Sequence, residues 1–183
     1  MDASDDFHSL QTARLLLRPL AAGDLDFVFQ HFSEPEVGRY LVDEEPLTTR
    51  EEAQAIVDFY VAPGLKTYNR WVMVRKSDLQ AIGTCGFHHW NKQHRRAEIG
   101  YDLARSAWRQ GFMTEALTAV LEHGFAQMQL HRIEGLVHPE NVASIRLLER
   151  LGFQKEGLLR QYFRQGNTYY DHWLLALLRT EWV

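Results

Sequence analysis

Residues 96–116 decide the fold, and they read RAEIGYDLARSAWRQGFMTEA. Successive side chains of a strand point to opposite faces, so the alternation over 96–103 predicts a strand with one apolar and one polar face. The polar face carries Arg96, Glu98, Gly100 and Asp102. Apolar residues then recur at helical spacing from about Phe112 to Met128, which predicts a helix that follows Gly111.

The flanking segments predict a mixed α/β, or α+β, domain. Further strands are expected at 15–18, 71–74, 81–89, 133–137, 153–163 and 169–178, with a hairpin turn at 165–167 between the last two. Helices are expected from Asp24, from Thr48 or Thr49 to Pro63-Gly64, and from Asn141 to Gly152. Adjacent strands favour antiparallel pairing, and strand–helix–strand across 96–137 favours one parallel crossover. We expect one domain over 1–183, with a core of about 10–180 and helices flanking a mostly antiparallel sheet.

The composition argues against several classes of protein. Acidic residues outnumber basic ones by 24 to 20, and the net charge of −4 argues against a nucleic-acid partner. Cys85 is the only cysteine and the nine histidines show no H-E-x-x-H spacing, so no metal site is predicted. The first residues lack an apolar run, and no stretch approaches the ~20 apolar residues of a membrane span. We therefore expect a cytoplasmic protein with no membrane partner.

The loop before the long helix is the first candidate site. A helix N-terminus carries free N–H groups and the positive end of the helix dipole, so it attracts phosphate. Gly111 removes a side chain where a ligand must approach the backbone closely, and Arg105 and Arg109 add positive charge. An ordinary capped helix start fits the same residues, and this segment alone favours that simpler interpretation.

The helix that begins at Asn141 is the second candidate. Asn141 fits the N-cap position and Ser144 then falls at the third helical position. An N-cap asparagine can present its other groups to a ligand. Arg146 and Arg150 lie four residues apart on one face, where they pair with neighbouring acids or approach a phosphate.

Together, these motifs resemble the GNAT superfamily of acetyl-CoA-dependent N-acetyltransferases, and more closely the RimJ/RimL branch, which acetylates the N-terminal amines of ribosomal proteins. The resemblance covers nearly the whole chain, and the order and spacing of its motifs are specific. Its motifs are Arg14–Leu20 with Asp24, Ile82-Gly83, Ala97–Leu103, Gly111–Ala116, Asn141 with Ser144, Leu151–Phe153, Glu156–Arg160, Asp171 and Glu181-Trp182. The family's pyrophosphate loop usually has three small residues, whereas here Arg109 and Met113 replace the outer two and only Gly111 is kept.

The resemblance implies a sheet splayed between the strand of Glu98 and the strand that follows Arg132. The pantetheine arm of acetyl-CoA would lie in that gap. The residues implied to bind acetyl-CoA are Tyr101, Asp102, Leu103, Arg109, Gln110, Gly111, Phe112, Met113, Thr114, Asn141, Ser144 and Arg146.

The chemistry of acetyl transfer requires a base and a proton donor. An amine is protonated at neutral pH and must lose a proton before it attacks. Glu98 is the first candidate for the base, although beside Arg96 it also fits a salt-bridged carboxylate. The resemblance makes Ser144 the candidate donor to the leaving sulfur, with a tyrosine of the last hairpin as the alternative. Backbone N–H groups near Tyr101 or Asp102 would stabilise the oxyanion, and Cys85 has no basic partner at motif spacing.

The acceptor is expected to be a primary amine, and a protein N-terminus leads by resemblance only. A small amine such as a polyamine, amino acid or aminoglycoside is the alternative. A non-catalytic CoA-binding module is the rival of a different class, and the presence of Glu98, Asn141 and Ser144 argues against it. His88 and His89 are adjacent on a strand, so at most one of them lines an acceptor pocket. The chain is expected to be a monomer or homodimer.

Overall fold

The computed structural model describes residues 7–41, 46–62 and 67–182. The strands in this part of the chain are β1 (Leu10–Gln11), β2 (Leu15–Pro19), β3 (Trp71–Arg75), β4 (Ala81–Asn91), β5 (Arg96–Leu103), β6 (Arg132–Val137), β7 (Gln154–Gln165) and β8 (Thr168–Leu178). The helices are α1 (Leu25–Phe32), α2 (Pro35–Gly38), α3 (Arg50–Val61), α4 (Phe112–Ala126) and α5 (Val142–Arg150). Short 3-10 turns precede α1 at Ala22–Asp24 and α4 at Arg105–Ala107.

The described strands form one sheet in the order β1-β2-β3-β4-β5-β6-β8-β7. Neighbouring strands are antiparallel except β5 and β6, which are parallel and are joined through α4. This mixed, mostly antiparallel sheet with one crossover confirms the predicted fold class.

Strands β5 and β6 separate from each other along their length. Their register pairs Arg96 with Arg132, Ala97 with Ile133 and Glu98 with Glu134, and the ladder stops there within the described residues. Both strands nevertheless continue, to Leu103 and to Val137. The sheet is therefore splayed beyond Glu98, and the unpaired strand edges face a gap.

The core has two parts because alternate side chains of each strand face opposite sides of the sheet. Trp71 and Met73 of β3 are buried on the side of α4 and α5, whereas Val72 and Val74 are buried on the side of α1 and α3. Helices on both faces hold the central strands in place and leave the splayed gap at one end of the sheet.

Some local expectations were wrong. Asp24 stands at the N-cap of α1 as predicted, but its side chain makes no capping hydrogen bond, since its carboxylate accepts hydrogen bonds from the Ala21 N–H at 2.8 Å and from the Arg18 guanidinium at 2.6 and 2.7 Å. Strand β1 and helix α2 were not predicted, because each is too short to show a period. The expected end of α3 at Pro63-Gly64 lies outside the described residues. No described helix is long and apolar enough to span a membrane.

Candidate active site

The loop before α4 has two residues in left-handed backbone conformation. Gly111 is the N-cap of α4 with φ of +79°, and Arg109 has φ of +59°. A side chain in this region costs on the order of 1 kcal/mol, so Arg109 holds an unfavourable conformation where the resembling family carries glycine. The first N–H groups of α4 have no acceptor within the helix and lie at the open end of the loop.

The packing around Gly111 refines the reason for a glycine there. A Cβ at this position would lie 3.4 Å from Nη2 of Arg14. This is an ordinary van der Waals distance to the end of a flexible side chain, so the positive φ, and not crowding, favours glycine at this N-cap.

The start of α5 confirms the predicted cap. The side-chain oxygen of Asn141 accepts a hydrogen bond from the Ser144 N–H at 3.1 Å. The Ser144 hydroxyl lies 2.6 Å from the phenol oxygen of Tyr101 on β5. Burial raises the pKa of Tyr101 despite the opposing effect of the Ser144 hydrogen bond, so the phenol stays protonated well above neutral pH.

A cavity of about 820 Å³, here called the long groove, runs between the end of β5, the loop before α4 and the start of α5. This volume lies within the ~300–1,000 Å³ typical of ligand sites. It brings together every residue that the sequence assigned to cofactor binding except Gln110, namely Tyr101, Asp102, Leu103, Arg109, Gly111, Phe112, Met113, Thr114, Asn141, Ser144 and Arg146. Arg39 and Arg150 line it as well, so its walls are rich in positive charge.

Gln110 is turned away from the long groove. Its carbonyl accepts a hydrogen bond from Arg14 at 2.9 Å, and its side-chain amide donates to the Ser106 carbonyl at 2.8 Å. Gln110 is thus the one residue assigned to cofactor binding that does not line the long groove, and its contact with acetyl-CoA stays a prediction. The residue instead braces the loop from behind.

The carboxylate of Asp102 is also engaged elsewhere. It lies 2.5 Å from Nε2 of the buried His31 and accepts hydrogen bonds from the Thr84 N–H at 2.9 Å and the Thr84 hydroxyl at 2.6 Å. Burial favours the neutral acid, but the His31 interaction, with Arg70 and Thr84, outweighs burial and lowers the pKa of Asp102. Its side chain is thus structural, and only its backbone is available to a ligand.

A second cavity of about 140 Å³, here called the inner pocket, opens where β5 and β6 diverge. Its charged or titratable lining residues are Tyr40, Arg70, His88, Glu98, Tyr101, Asp102, His138 and His172. Six residues line both the inner pocket and the long groove, namely Tyr40, Leu41, Tyr101, Asp102, Asn141 and Ser144. The two cavities therefore meet at the hydrogen-bonded Tyr101–Ser144 pair.

Glu98 lines the inner pocket and its side chain is 23% exposed. Its carboxylate lies 3.2 Å from Nδ1 of His89, which is largely exposed. Arg96 pairs with Glu134 at 3.0 Å, so the ionic contact that the salt-bridged alternative gives Glu98 is made with His89 and not with Arg96. A bulge in β4, with φ of +49° at His89, brings this histidine within reach of Glu98.

Of the two adjacent histidines, only His88 lines the inner pocket, as the strand pattern predicted. Burial, helped by the positive charge of Arg70, lowers the pKa of His88 to about 4. His88 is consequently neutral at physiological pH. Cys85 is fully buried, and burial raises the pKa of its thiol, so it is unsuited to act as a nucleophile.

Two features of the site were missed by sequence reasoning. The phenol of Tyr101 belongs to the site, whereas the strand pattern assigned only the backbone of this residue to binding. His138 and His172, whose rings lie 5.7 Å apart, also line the inner pocket. The part of the chain that the structure describes contains no cluster of His, Cys, Asp or Glu able to hold a metal ion.

Comparison with known proteins gives a consistent result. A family model described as an acetyltransferase (GNAT) domain matches residues 14–154. An uncharacterised N-acetyltransferase of Bacillus licheniformis, p20, is 39% identical over 96% of this chain and 98% of its own length. An uncharacterised N-acetyltransferase of Bacillus subtilis, YoaA, is 41% identical over 90% of this chain and 93% of its own length.

Two proteins with named acceptors are also similar. A crystal structure of spermidine N-acetyltransferase from Vibrio cholerae, in complex with CoA and spermine, matches with a TM-score of 0.82 and 26% identity over 93% of this chain and 98% of that chain. The ribosomal protein uS5-alanine N-acetyltransferase of Escherichia coli is 37% identical over 46% of this chain and 44% of its own length. Because the family model spans most of the chain and the Bacillus relatives span nearly all of it, this chain belongs to the GNAT family of acetyltransferases.

Proposed function

We propose that this acetyltransferase moves the acetyl group of acetyl-CoA to the N-terminal amine of a protein, by direct attack in a ternary complex. The observation that carries the proposal is the meeting of the long groove and the inner pocket at Tyr101 and Ser144. A donor in one cavity and an acceptor in the other would react at that junction. The enzyme would work as a single-domain cytoplasmic protein beside the RimJ/RimL branch, as a monomer or homodimer.

The long groove suits acetyl-CoA in size and charge. The free N–H groups at the start of α4 and the nearby Arg109 provide donors for a pyrophosphate, while Arg146 and Arg150 line the same groove. The gap beside β5 would take the pantetheine arm and bring the thioester to Tyr101. Acetyl-CoA supplies the activated acetyl group, and the residues below handle the protons.

Glu98 is the proposed base. Its carboxylate faces the inner pocket, and the contact with His89 holds it in place without removing it from the pocket wall. The carboxylate would accept the proton of the incoming ammonium group, directly or through a water molecule.

Tyr101 and Ser144 are proposed to supply the proton to the leaving sulfur. Tyr101 stays protonated at neutral pH because burial raises its pKa, and Ser144 lies 2.6 Å away. Tyr101 lies three positions after Glu98, so the two side chains leave β5 on opposite faces. Beyond Glu98 β5 stays paired with β4, but its edge toward β6 is unpaired, and the base and the proton donor would approach the reaction centre at that edge from opposite sides of the sheet.

The charges in the inner pocket favour an acceptor with one amino group over an acceptor with several. Of the two carboxylates that line it, Asp102 is committed to His31 and Thr84 and lies 3.5 Å from Nη1 of Arg70, which leaves Glu98 to meet an ammonium group. A polyamine would place a further positive charge near Arg70. A protein N-terminus carries a single amine, and its neighbouring carbonyl can accept a hydrogen bond from Arg70. The uS5-alanine relative supports this acceptor, whereas the spermidine enzyme of similar fold supports a small amine.

An acceptor panel tests the proposal. Thiol release from acetyl-CoA is measured with peptides that begin with alanine, serine or methionine, with blocked peptides that offer only a lysine, and with spermidine and an aminoglycoside. We expect the highest kcat/KM with a free peptide N-terminus. A preference for spermidine or the aminoglycoside would contradict the proposed acceptor but would leave the acetyltransferase activity established.

A further inference from the structure

An ion pair behind the loop before α4 links parts of the chain that are far apart in sequence. Glu115, in the first turns of α4, accepts hydrogen bonds from the Arg14 N–H at 2.7 Å, from Nε of Arg14 at 2.6 Å and from the Thr12 hydroxyl at 2.5 Å. The turn between β1 and β2 is thereby fixed to the start of α4. We call this contact the Arg14–Glu115 bridge.

The rest of the Arg14 guanidinium is directed at the loop. Its Nη1 donates to the Gln110 carbonyl at 2.9 Å, and its central carbon lies 4.5 Å from the centre of the Phe112 ring. Its Nη2 occupies the space beside Gly111. A single side chain thus contacts Gln110 and Phe112 and lies beside Gly111, where the chain turns from the loop into the helix.

The loop needs such support because its backbone is not in a conformation of lowest energy for its residues. Arg109 holds a left-handed conformation without being glycine. Non-glycine residues persist in such conformations when surrounding contacts over-determine them. The donation from Arg14 to Gln110 provides a contact of this kind at the adjacent residue.

We propose that the Arg14–Glu115 bridge is a positioning device that holds the loop in the shape that binds the pyrophosphate of CoA, and so compensates for the missing first glycine at Arg109. The inference rests on the proposed function, since it takes the long groove as the CoA site. Arg14 acts on the loop from behind, through Gln110 and Phe112. Partial burial opposes ionisation of Glu115, but the hydrogen bonds from Thr12 and Arg14 outweigh it and lower its pKa, so the bridge is charged at neutral pH.

The test compares two ligands that differ in the pyrophosphate. Kd is measured for CoA by calorimetry and for pantetheine, which lacks the pyrophosphate and nucleotide, by ligand-observed NMR. In Arg14→Gln we expect the Kd of CoA to rise at least ~tenfold while the Kd of pantetheine is unchanged. A general loss of structure would weaken both ligands together, and an unchanged ratio of the two Kd values would overturn the inference.

Arg14→Lys keeps the test open if Arg14→Gln does not fold. Lysine keeps the charge but lacks the fork that reaches Glu115 and Gln110 together. We expect a smaller shift of the ratio in the same direction, and no shift overturns the inference.

Arg75→Gln is the matched control, because it removes one positive charge from an exposed pair with Asp78 at the turn after β3. It is expected to leave both Kd values unchanged, and an equal shift in this variant would make the effect one of net charge and overturn the inference. Failure of the unaltered protein to bind CoA would contradict the proposed function, and the inference with it.

Discussion

Replacing Tyr101 with phenylalanine removes one hydroxyl from the junction of the long groove and the inner pocket and leaves the ring in place. The lost contact is the 2.6 Å hydrogen bond to Ser144. A hydrogen bond of this kind contributes about 0.5–1.5 kcal/mol to stability, which for a chain of this size corresponds to a fall in Tm of roughly 1–6 °C. Loss of a proton donor costs far more in rate, about 10²–10⁴-fold in kcat. The two magnitudes separate a catalytic role from a structural one.

The double variant makes the test sharper. If Tyr101 and Ser144 donate the proton as a unit, Ser144→Ala will also lower kcat, and Tyr101→Phe with Ser144→Ala will cost little more than the more damaging single change. Steady-state thiol release and a melting curve are recorded for each variant, with Tyr68→Phe as control, since Tyr68 donates to the Phe59 carbonyl away from both cavities. Wild-type kcat in both single variants would refute the assignment of Tyr101 and Ser144 as proton donors. If the fold-losses in kcat of the two single variants multiply in the double variant, the two residues do not act as a unit.

Three other outcomes are expected. Glu98→Gln should lower turnover near neutral pH by about 10²–10⁴-fold with unchanged Kd for acetyl-CoA. The loss of turnover should shrink at high pH, where more of the amine is unprotonated. A loss that does not vary with pH would reject Glu98 as the base. Acetyl-CoA at ~100 times its Kd should stabilise the protein by ~2.7 kcal/mol, a Tm rise of roughly 5–10 °C, and folded Gly111→Val should lose that rise in a thermal-shift assay. The folded pKa of His88, about 4, lies below its ordinary 6.5, so the unfolded chain binds the proton more readily and the free energy of unfolding falls as pH drops through this window. In urea unfolding, His88→Asn should show a shallower fall of that free energy with pH. A fall as steep as in the unaltered protein would contradict the burial of His88 as the cause.

The parts of the site that follow from local signals could be predicted from the sequence. Alternation over Arg96–Leu103 gave the bounds of β5, and the Asn141–Ser144 spacing gave the cap of α5. Such patterns depend on residues within a few positions of one another, and backbone geometry alone determines them.

Contacts between distant residues could not be predicted in the same way. Tyr101 meets Ser144 across 43 positions, His31 meets Asp102 across 71, and Arg14 meets Glu115 across 101. The strand alternation placed Asp102 and Glu98 on the same face of β5. It gave no sign that His31 of α1 would contact the carboxylate of Asp102. Similarly, the separation of β5 from β6 brings side chains from both faces of β5 to one gap. Tyr101 therefore lies in the site, although the strand alternation had placed it on the face that packs against the core.

Acetyl transfer to a protein N-terminus at this junction is tested with a matched pair of peptides. One begins with a free alanine and the other is identical but N-formylated, and each is incubated with acetyl-CoA and the protein before mass spectrometric sequencing. The account predicts that only the free peptide gains an acetyl group, on its N-terminal nitrogen, with one thiol released for each group transferred. Equal thiol release with both peptides, or an acetyl group on a side chain of either, would contradict it.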